Sequence, residues 1–555
     1  MNITWLDINA SYSHSSLALP ALEAQLDDEV RNKTNFRVVS GTIKSNIDSI
    51  IEELIYTNPQ YILATGWLFN IEYIISVLSK ACALFPNMRV VLGGPEFLGN
   101  NEDFLRRNRF VTSVFKGEGE EIFNDFIEII STNPSSKEWL GLEGFEYIDA
   151  NGGYISKESV TAKKFVNLVP PEESEFYRWD KAFVQLETSR GCFNSCRFCV
   201  SGIDSSPIKD IPVETIRKRL EKIESKGIRE IRILDRTFNG NASRAIEMLN
   251  MFEEFNGRLK FHLEVHPALL APSVKDKLSK ISNELLHIEA GIQSLDENVL
   301  CQCSRKGTSA KAIEGLEYLL ALNKFEVHTD FIAGLPGYTF QMLLNDVKRM
   351  IAIGPHEIQL ELLKLLPGTV FRDDSEYYGI RFSPIPPYEV LETDSITYKE
   401  LLKCKVLSKI IEYWYNGPEW RECFRFLVNG DRNFLEELLE ELSNGPFYGT
   451  LHSFESKSML LYRFCKNAYP QFVDRISLNW LNCGLSLKKE PAEKICHWNI
   501  KDKEIIHNPL FEEVERNNSY YYFDSDNVRY WFAYNKSIDR NRPTKSCKEE
   551  NYKKL

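Results

Sequence analysis

Ser189-Arg190-Gly191-Cys192-Phe193-Asn194-Ser195-Cys196-Arg197-Phe198-Cys199 places three cysteines at C-x3-C-x2-C spacing. The string follows an apolar, strand-like run over 183–186 and sits inside a long α/β pattern. Three thiolates hold a four-iron, four-sulfur cluster by three of its irons and leave the fourth iron open to a small molecule. Electron carriers of this type ordinarily use four cysteines, so a loop offering three points to chemistry at the cluster. The competing reading is a zinc knuckle or three core thiols. A structural zinc site wants four ligands, and no cysteine or histidine stands at finger spacing nearby.

Downstream of the loop, apolar strand patterns over 230–235, 260–265, 285–292, 326–333 and 357–365 join the run over 183–188. Amphipathic helix patterns over 212–226, 243–255, 309–322 and 340–352 fall between them. Six such units predict a partial (βα)6 barrel, open on one side, over 181–372. The cysteines follow its first strand, at the carboxyl edge where parallel barrels build their sites.

Upstream, strand patterns over 3–8, 36–43, 61–67, 88–94 and 113–117 alternate with helix patterns over 15–27, 46–57, 70–85, 100–108 and 120–131. This predicts a Rossmann-like, doubly wound domain over 1–132 with a five-stranded parallel sheet. Ligands of such sheets lie at the carboxyl ends of the strands. That edge carries Thr65, Gly66, Gly93, Gly94, Gly117 and Glu118. Residues 133–180, rich in Pro, Ser, Gly and charge, read as a linker with a small irregular or β element. Residues 373–555 read as a mostly helical, aromatic-rich C-terminal domain. The fold class is therefore α/β with a helical appendage.

Lys+Arg and Asp+Glu total 67 and 79, a net charge of −12, which argues against broad, charge-driven nucleic-acid binding. No apolar run reaches the length of a membrane span, and the opening residues lack the basic and apolar regions of a signal peptide. Twelve scattered cysteines in 555 residues are not a disulfide framework. A reducing, cytoplasmic location is expected.

The cysteine loop after a first barrel strand, with Phe198 before the third cysteine, resembles the radical S-adenosylmethionine (SAM) superfamily. The resemblance implies that Cys192, Cys196 and Cys199 ligate a [4Fe-4S] cluster, that SAM binds the open iron, and that Phe198 lies near the adenine. It places polar groups toward SAM at later strand ends: Asp235 for the amino group, Glu289 or Gln293 for the ribose, Arg305 for the carboxylate, and Gly334 where the adenine nears the backbone. Bland readings stand beside these, with Asp235 as a turn or capping acid, Gly334 as a turn residue and Arg305 as a solvated cation. Cys301 and Cys303 read either as a redox pair or hydrogen-atom donor, or as incidental thiols near a helix end, the latter favoured because positions i and i+2 do not share a helix face.

A doubly wound domain ahead of such a barrel resembles the cobalamin-binding branch of the superfamily. The closer likeness is to members with an extra C-terminal region of the DUF4080 type. Cobalamin would then contact Ser13, His14 and the glycine edge. The string Tyr12-Ser13-His14-Ser15-Ser16-Leu17 keeps the histidine of the older Asp-x-His-x-x-Gly fingerprint but lacks its acid and glycine. His14 is thus either an axial ligand to cobalt or a loop histidine.

The reaction implied is radical methyl transfer to an unreactive carbon or similar centre of a small molecule or peptide. A low-potential donor, flavodoxin or ferredoxin, would reduce the cluster. The alternatives are a cobalamin-dependent radical cyclase, oxidase or rearrangement enzyme without methyl transfer, and an iron–sulfur redox sensor or electron carrier.

Overall fold

The computed structural model describes all residues except 13–14, 203–206, 499–517, 526–527, 536–542, 544 and 550–555. The chain divides into two compact units, one formed by 1–346 with 360–401, the other by 347–359 with 402–555.

The first unit opens with the doubly wound sheet. Its strands are β1 (Asn2–Asn9), β2 (Asn35–Thr42), β3 (Tyr61–Thr65), β4 (Arg89–Gly93) and β5 (Ser113–Phe115). They pair in parallel in the order β2-β1-β3-β4-β5. The order reverses between β1 and β3, which opens a crevice beyond their carboxyl ends. Both sheet faces are buried, so the central strands are almost continuously apolar. Leu6, Ile8, Ile62, Ala64, Val90 and Leu92 pack in one core with the helices Ile47–Thr57 and Ile71–Leu84. Ile3, Trp5, Tyr61, Leu63 and Val91 face the other core, against Phe123, Phe126 and Ile127 of the helix Glu120–Thr132.

The sheet has two strands beyond the five expected. β6 (Phe145–Ile148) and β7 (Tyr154–Ile155) pair antiparallel along the β5 edge. The small β element expected within 133–180 thus joins this sheet. The buried Glu146 ties it down, accepting from Asn101 Nδ2 at 2.8 Å, Tyr154 Oη at 2.6 Å and the Lys157 amide at 3.0 Å. The helix expected over 15–27 is shorter, Ala18–Glu23, and a second short helix, Asp28–Lys33, follows it.

The barrel sheet begins at β8 (Phe183–Leu186), followed by the two-residue strands β9 (Ser189–Arg190) and β10 (Lys209–Asp210). β11 (Glu230–Ile233), β12 (Lys260–Val265), β13 (Leu286–Gln293), β14 (Glu326–Ala333) and β15 (Glu357–Leu362) complete it. The order is β15-β14-β13-β12-β11-β8, parallel from β8 to β14, as expected for the partial barrel. On β12 and β13 the buried apolar residues Phe261, Leu263, Val265, Ile288 and Ala290 alternate with His262, Glu264, His287 and Glu289. Helices cover the apolar face, and the polar face lines the barrel interior.

The second unit holds the helices Pro418–Gly430, Phe434–Ser443, Phe454–Ala468 and Val473–Asn482 around buried Trp414, Trp420 and Trp480. It also contains a four-stranded sheet that the helical reading missed: Cys496–Trp498, Asn518–Ser525, Val528–Asn535 and Lys545–Glu549, antiparallel throughout. Phe523, Phe532 and Tyr534 of this sheet pack on Trp480 and Leu481. Among the described residues no helix is long and apolar enough to cross a membrane.

Candidate active site at the cysteine loop

The cysteine loop leaves β8 and is closed at its base by the antiparallel β9/β10 pair, Arg190 opposite Lys209 and Ser189 opposite Asp210. Gly191 turns the chain at φ 100°, a conformation that favours glycine. Three arginine and lysine contacts lace the loop to the 302–306 segment. Lys306 Nζ donates to the Phe193 carbonyl at 2.8 Å, Arg197 Nη1 donates to the Gln302 carbonyl at 2.9 Å, and the Arg197 amide donates to the Cys303 carbonyl at 3.0 Å. Cys196 is buried, Cys192 and Cys199 are half-buried, and none is bridged. Burial pushes the Cys196 thiol up, the Arg305 guanidinium opposes this, and the Cys199 and Cys192 thiols add to the rise, so the three sulfurs share one locality. Cys192 Sγ lies 3.8 Å from Thr237 Oγ1.

Asp235 is buried behind the loop. Its carboxylate accepts from the Thr188 and Ser189 amides, each at 2.9 Å, and from Thr188 Oγ1 at 2.5 Å. Both oxygens are thus engaged by the chain that enters the loop. Arg305 Nη2 donates to the Gly291 carbonyl at 2.7 Å. A bulge between Gly291 and Gln293 ends the β13 ladder and holds Gln293 at φ 64°. Gln293 Oε1 is buried with no hydrogen-bond partner. Glu289 accepts from or shares a proton with His262 Nε2 at 3.1 Å, and that bond holds its carboxyl below the ordinary range. Burial pushes the neighbouring Glu264 up to about 7 and Asp330 well above its ordinary value. Phe198 is half-buried on the loop, and Gly334 has φ 87° at the end of β14.

His266, one residue past β12, is a site residue that the sequence reading missed. It is 4% exposed, and its ring lies 6.4 Å from that of Phe193. Burial, then the Arg305 charge, lowers it to about 4, so it is neutral at neutral pH. Its signal was its place at the same strand-end layer as the cysteines.

The carboxyl edge of the N-terminal sheet meets this loop within the same unit. A cavity of ≈ 440 Å³ is lined by Thr65, Gly93, Gly94, Gly117 and Glu118 on one side and by Ser189, Arg190 and Gly191 on the other. Its floor is apolar, with Trp5, Leu63, Val91 and Phe126. A second cavity of ≈ 650 Å³ shares Trp67, Glu120, Glu187, Arg190 and Arg236 with the first. Arg190 crosses between the two domains, pairing with Glu187 at 2.7 Å, Glu120 at 2.9 Å and Glu118 at 3.4 Å. Burial alone would lower its pKa, and these carboxylates more than reverse that.

The edge glycines are not equivalent. A Cβ on Gly117 would stand 2.3 Å from the Val160 carbonyl oxygen, and one on Gly94 2.7 Å from the Gly66 carbonyl oxygen. These two, with φ of 110° and 105°, serve close backbone packing. Gly66 is crowded by Phe97 and does not line the cavity. Gly93 lines it and is open: a Cβ there would meet nothing nearer than Phe115, at 3.8 Å. Ser13 and His14 lie outside the described residues.

Residues 186–350 match the radical SAM superfamily, and residues 376–509 match DUF4080, a protein family of unknown function. The chain is 21% identical over 415 residues to the cobalamin-dependent radical SAM methyltransferase TokK of Streptomyces tokunonensis, an alignment covering 70% of this chain and 59% of TokK. The chain thus spans less than two thirds of that relative. Among solved structures, apo OxsB, a cobalamin-dependent S-adenosylmethionine radical enzyme, superposes with a TM-score of 0.59 at 15% identity, over 88% of this chain and 81% of OxsB. TsrM of Kitasatospora setae, a radical S-adenosylmethionine methyltransferase with tryptophan and a SAM analogue bound, gives 0.54 at 15% identity, over 71% and 81%. These superpositions agree with the α/β fold class.

Proposed function

We propose that this chain, whose residues 186–350 match the radical SAM superfamily and residues 376–509 match DUF4080, is a cobalamin-dependent radical SAM methyltransferase. Its target is an unreactive carbon, or similar centre, of a small molecule or peptide. The observation that carries the reading is the ≈ 440 Å³ cavity walled jointly by the sheet edge and the cysteine loop. A cofactor held by the edge and one held by the loop would there face a common space.

The donor sets fit the two groups. Cys192, Cys196 and Cys199 are unbridged thiols on one loop, and three soft ligands suit a cluster with an open iron. An open Gly93 above an apolar floor suits a large, flat ligand with a buried tail. When bound, the cluster with SAM supplies one-electron cleavage of a sulfonium bond, and cobalamin supplies methyl carriage. The chain's own part is positional. Arg305 places a cation beside Cys196 and would meet the SAM carboxylate. Gln293, whose Oε1 has no partner, would take the ribose, with Phe198 and Gly334 beside the adenine. Glu289 is engaged by His262 and would bind ribose only through its second oxygen. Asp235 would act as a positioning residue that sets the loop entrance. Thr65, Gly93, Gly94, Gly117 and Glu118 would border the cobalamin. A flavodoxin or ferredoxin would deliver the electrons.

The test is anaerobic purification with added hydroxocobalamin, followed by turnover with trideuteromethyl SAM on candidate substrates. Corrin absorbance co-eluting with protein and deuterium in the product are expected. Reductive SAM cleavage with no label in any product would overturn methyl transfer and leave a non-methylating radical enzyme. Absence of SAM cleavage by the reconstituted protein would overturn the enzyme reading altogether.

A further inference from the structure

At the opposite end of the barrel sheet from the cysteines, three potential metal ligands converge. His287 is the second residue of β13, and Glu326 and His328 stand at positions one and three of β14. Strand register sets His287 opposite Glu326 and Glu289 opposite His328. Because the side-chain period is two, all three share the sheet face of Glu289 and Asp330. His287 Nε2 lies 3.2 Å from His328 Nδ1, and His287 Nδ1 lies 3.8 Å from Glu326 Oε2. One ligand atom from each residue can be chosen so that all lie within 4.8 Å of one another. The rings of His287 and His328 are near perpendicular, at 78°, with centroids 4.1 Å apart.

We propose that His287, Glu326 and His328 form a binding site for a divalent transition metal, of which zinc is the type, at the amino end of the barrel strands. Zinc–imidazole bonds of ~2.0–2.1 Å in a tetrahedral shell put neighbouring donor atoms roughly 3.3 Å apart. The observed 3.2 Å between the two imidazole nitrogens matches that spacing. Glu326 is the adjustable member: its side chain is 69% exposed, so a rotation brings its carboxylate onto the ion. Two imidazoles and one carboxylate suit zinc, nickel or copper better than calcium or magnesium, which take oxygen ligands. Three protein ligands leave a fourth position toward solvent. His262 packs on His287 with ring centroids 4.5 Å apart and planes tilted by 32°, but its Nε2 is held by Glu289, so it supports the ring and does not complete the shell. The site is separate from the cysteine loop: Arg305, the cation beside Cys196, meets β13 at Gly291, ~13 Å further along the strand. A metal there would tie β13 to β14 below the active site.

The test uses the full chain stripped of metal, titrated with Co(II) alone under anaerobic conditions. The background is the C192A/C196A/C199A variant, so that thiolates of the loop do not compete. About one equivalent should bind, with visible d–d bands and no near-ultraviolet thiolate charge-transfer band. Zn(II) should displace it and raise the unfolding midpoint. The conservative variants His328→Gln and Glu326→Gln, with unfolding curves recorded to establish that they are folded, should each lose the bands and the stabilisation. Either no Co(II) signal of nitrogen and oxygen character, or a signal unchanged in folded His328→Gln, overturns the proposal.

Discussion

Arg190 Nη2 donates to Glu120 Oε1 at 2.9 Å, joining the residue before Gly191 of the cysteine loop to the first turn of the helix Glu120–Thr132. The same guanidinium holds Glu187 and Glu118. Arg190→Ala would leave three carboxylates facing each other at the cavity wall without their cation. Its side chain is 21% exposed, so solvent relieves only part of this. We expect a loss of about 1–3 kcal/mol in denaturant unfolding and weaker retention of cobalamin on a desalting column. Arg190→Lys, which cannot bridge three acceptors with a planar fork, should recover less than half of either.

Cys192→Ala, Cys196→Ala and Cys199→Ala should each remove most of the bound iron and abolish reductive SAM cleavage. Cys303→Ser should keep both, although Cys303 lies close enough to Cys196 for that thiol to add to the rise that burial gives the Cys303 pKa. Iron and sulfide analysis with product chromatography decides. Full iron retention in Cys199→Ala would contradict the ligand assignment.

Asp235→Asn tests positioning against substrate contact. The amide has one acceptor oxygen where the carboxylate serves three donors. We expect a loss of about 1–3 kcal/mol, lower cluster occupancy, and an unchanged KM for SAM in the fraction that carries a cluster. A large rise in KM at full occupancy would instead make Asp235 a SAM contact.

Two glycines on one edge should behave oppositely. Gly117→Ala meets the Val160 backbone at φ 110° and should cost on the order of 1–3 kcal/mol. Gly93→Ala should fold with little change in its unfolding midpoint and bind cobalamin at least several-fold more weakly. Differential scanning calorimetry and corrin titration separate the two effects.

Glu264 carries a pH dependence. Burial raises its carboxyl from 4.5 to about 7, with Arg236 opposing. The folded state therefore holds the proton more tightly than the unfolded chain. Its stabilisation is complete below pH 4.5 and is lost as pH rises through about 7. Buried Asp330 acts in the same direction. Glu264→Gln, fixed in the neutral shape, should flatten the decline in stability of the cluster-free protein across this window, by on the order of 2 kcal/mol at pH 8. Urea midpoints at several pH values check it.

The two parallel sheets and the grouping of three unbridged cysteines on one loop were legible because each rests on local pattern. Strands buried on both faces read as apolar runs, and a metal loop fixes its cysteine spacing. The partners that give the site its shape were not legible. Glu120 and Arg190 are 70 residues apart, Asp235 and Thr188 47, and no local signal pairs such positions. Gly117 lines the cavity, but the Val160 backbone that also requires its missing side chain lies 43 residues away in sequence and left no local sign. The C-terminal sheet was missed for another reason. Tyr520, Tyr521, Tyr522 and Phe523 favour strands, yet they follow helices of similar aromatic content, and composition outweighed local propensity.

The β9/β10 pair fixes where the chain leaves and rejoins the barrel on either side of the three cysteines. Its two-residue ladder is backed by Asp235, which binds the Thr188 amide, and by Arg244, which donates to the carbonyls of both Thr188 and Ile211. The roots of the loop are thus held by groups that lie outside it. Side chains over 193–198 other than Cys196 can therefore be exchanged, and the character of the loop retuned, while its two points of attachment stay where they are.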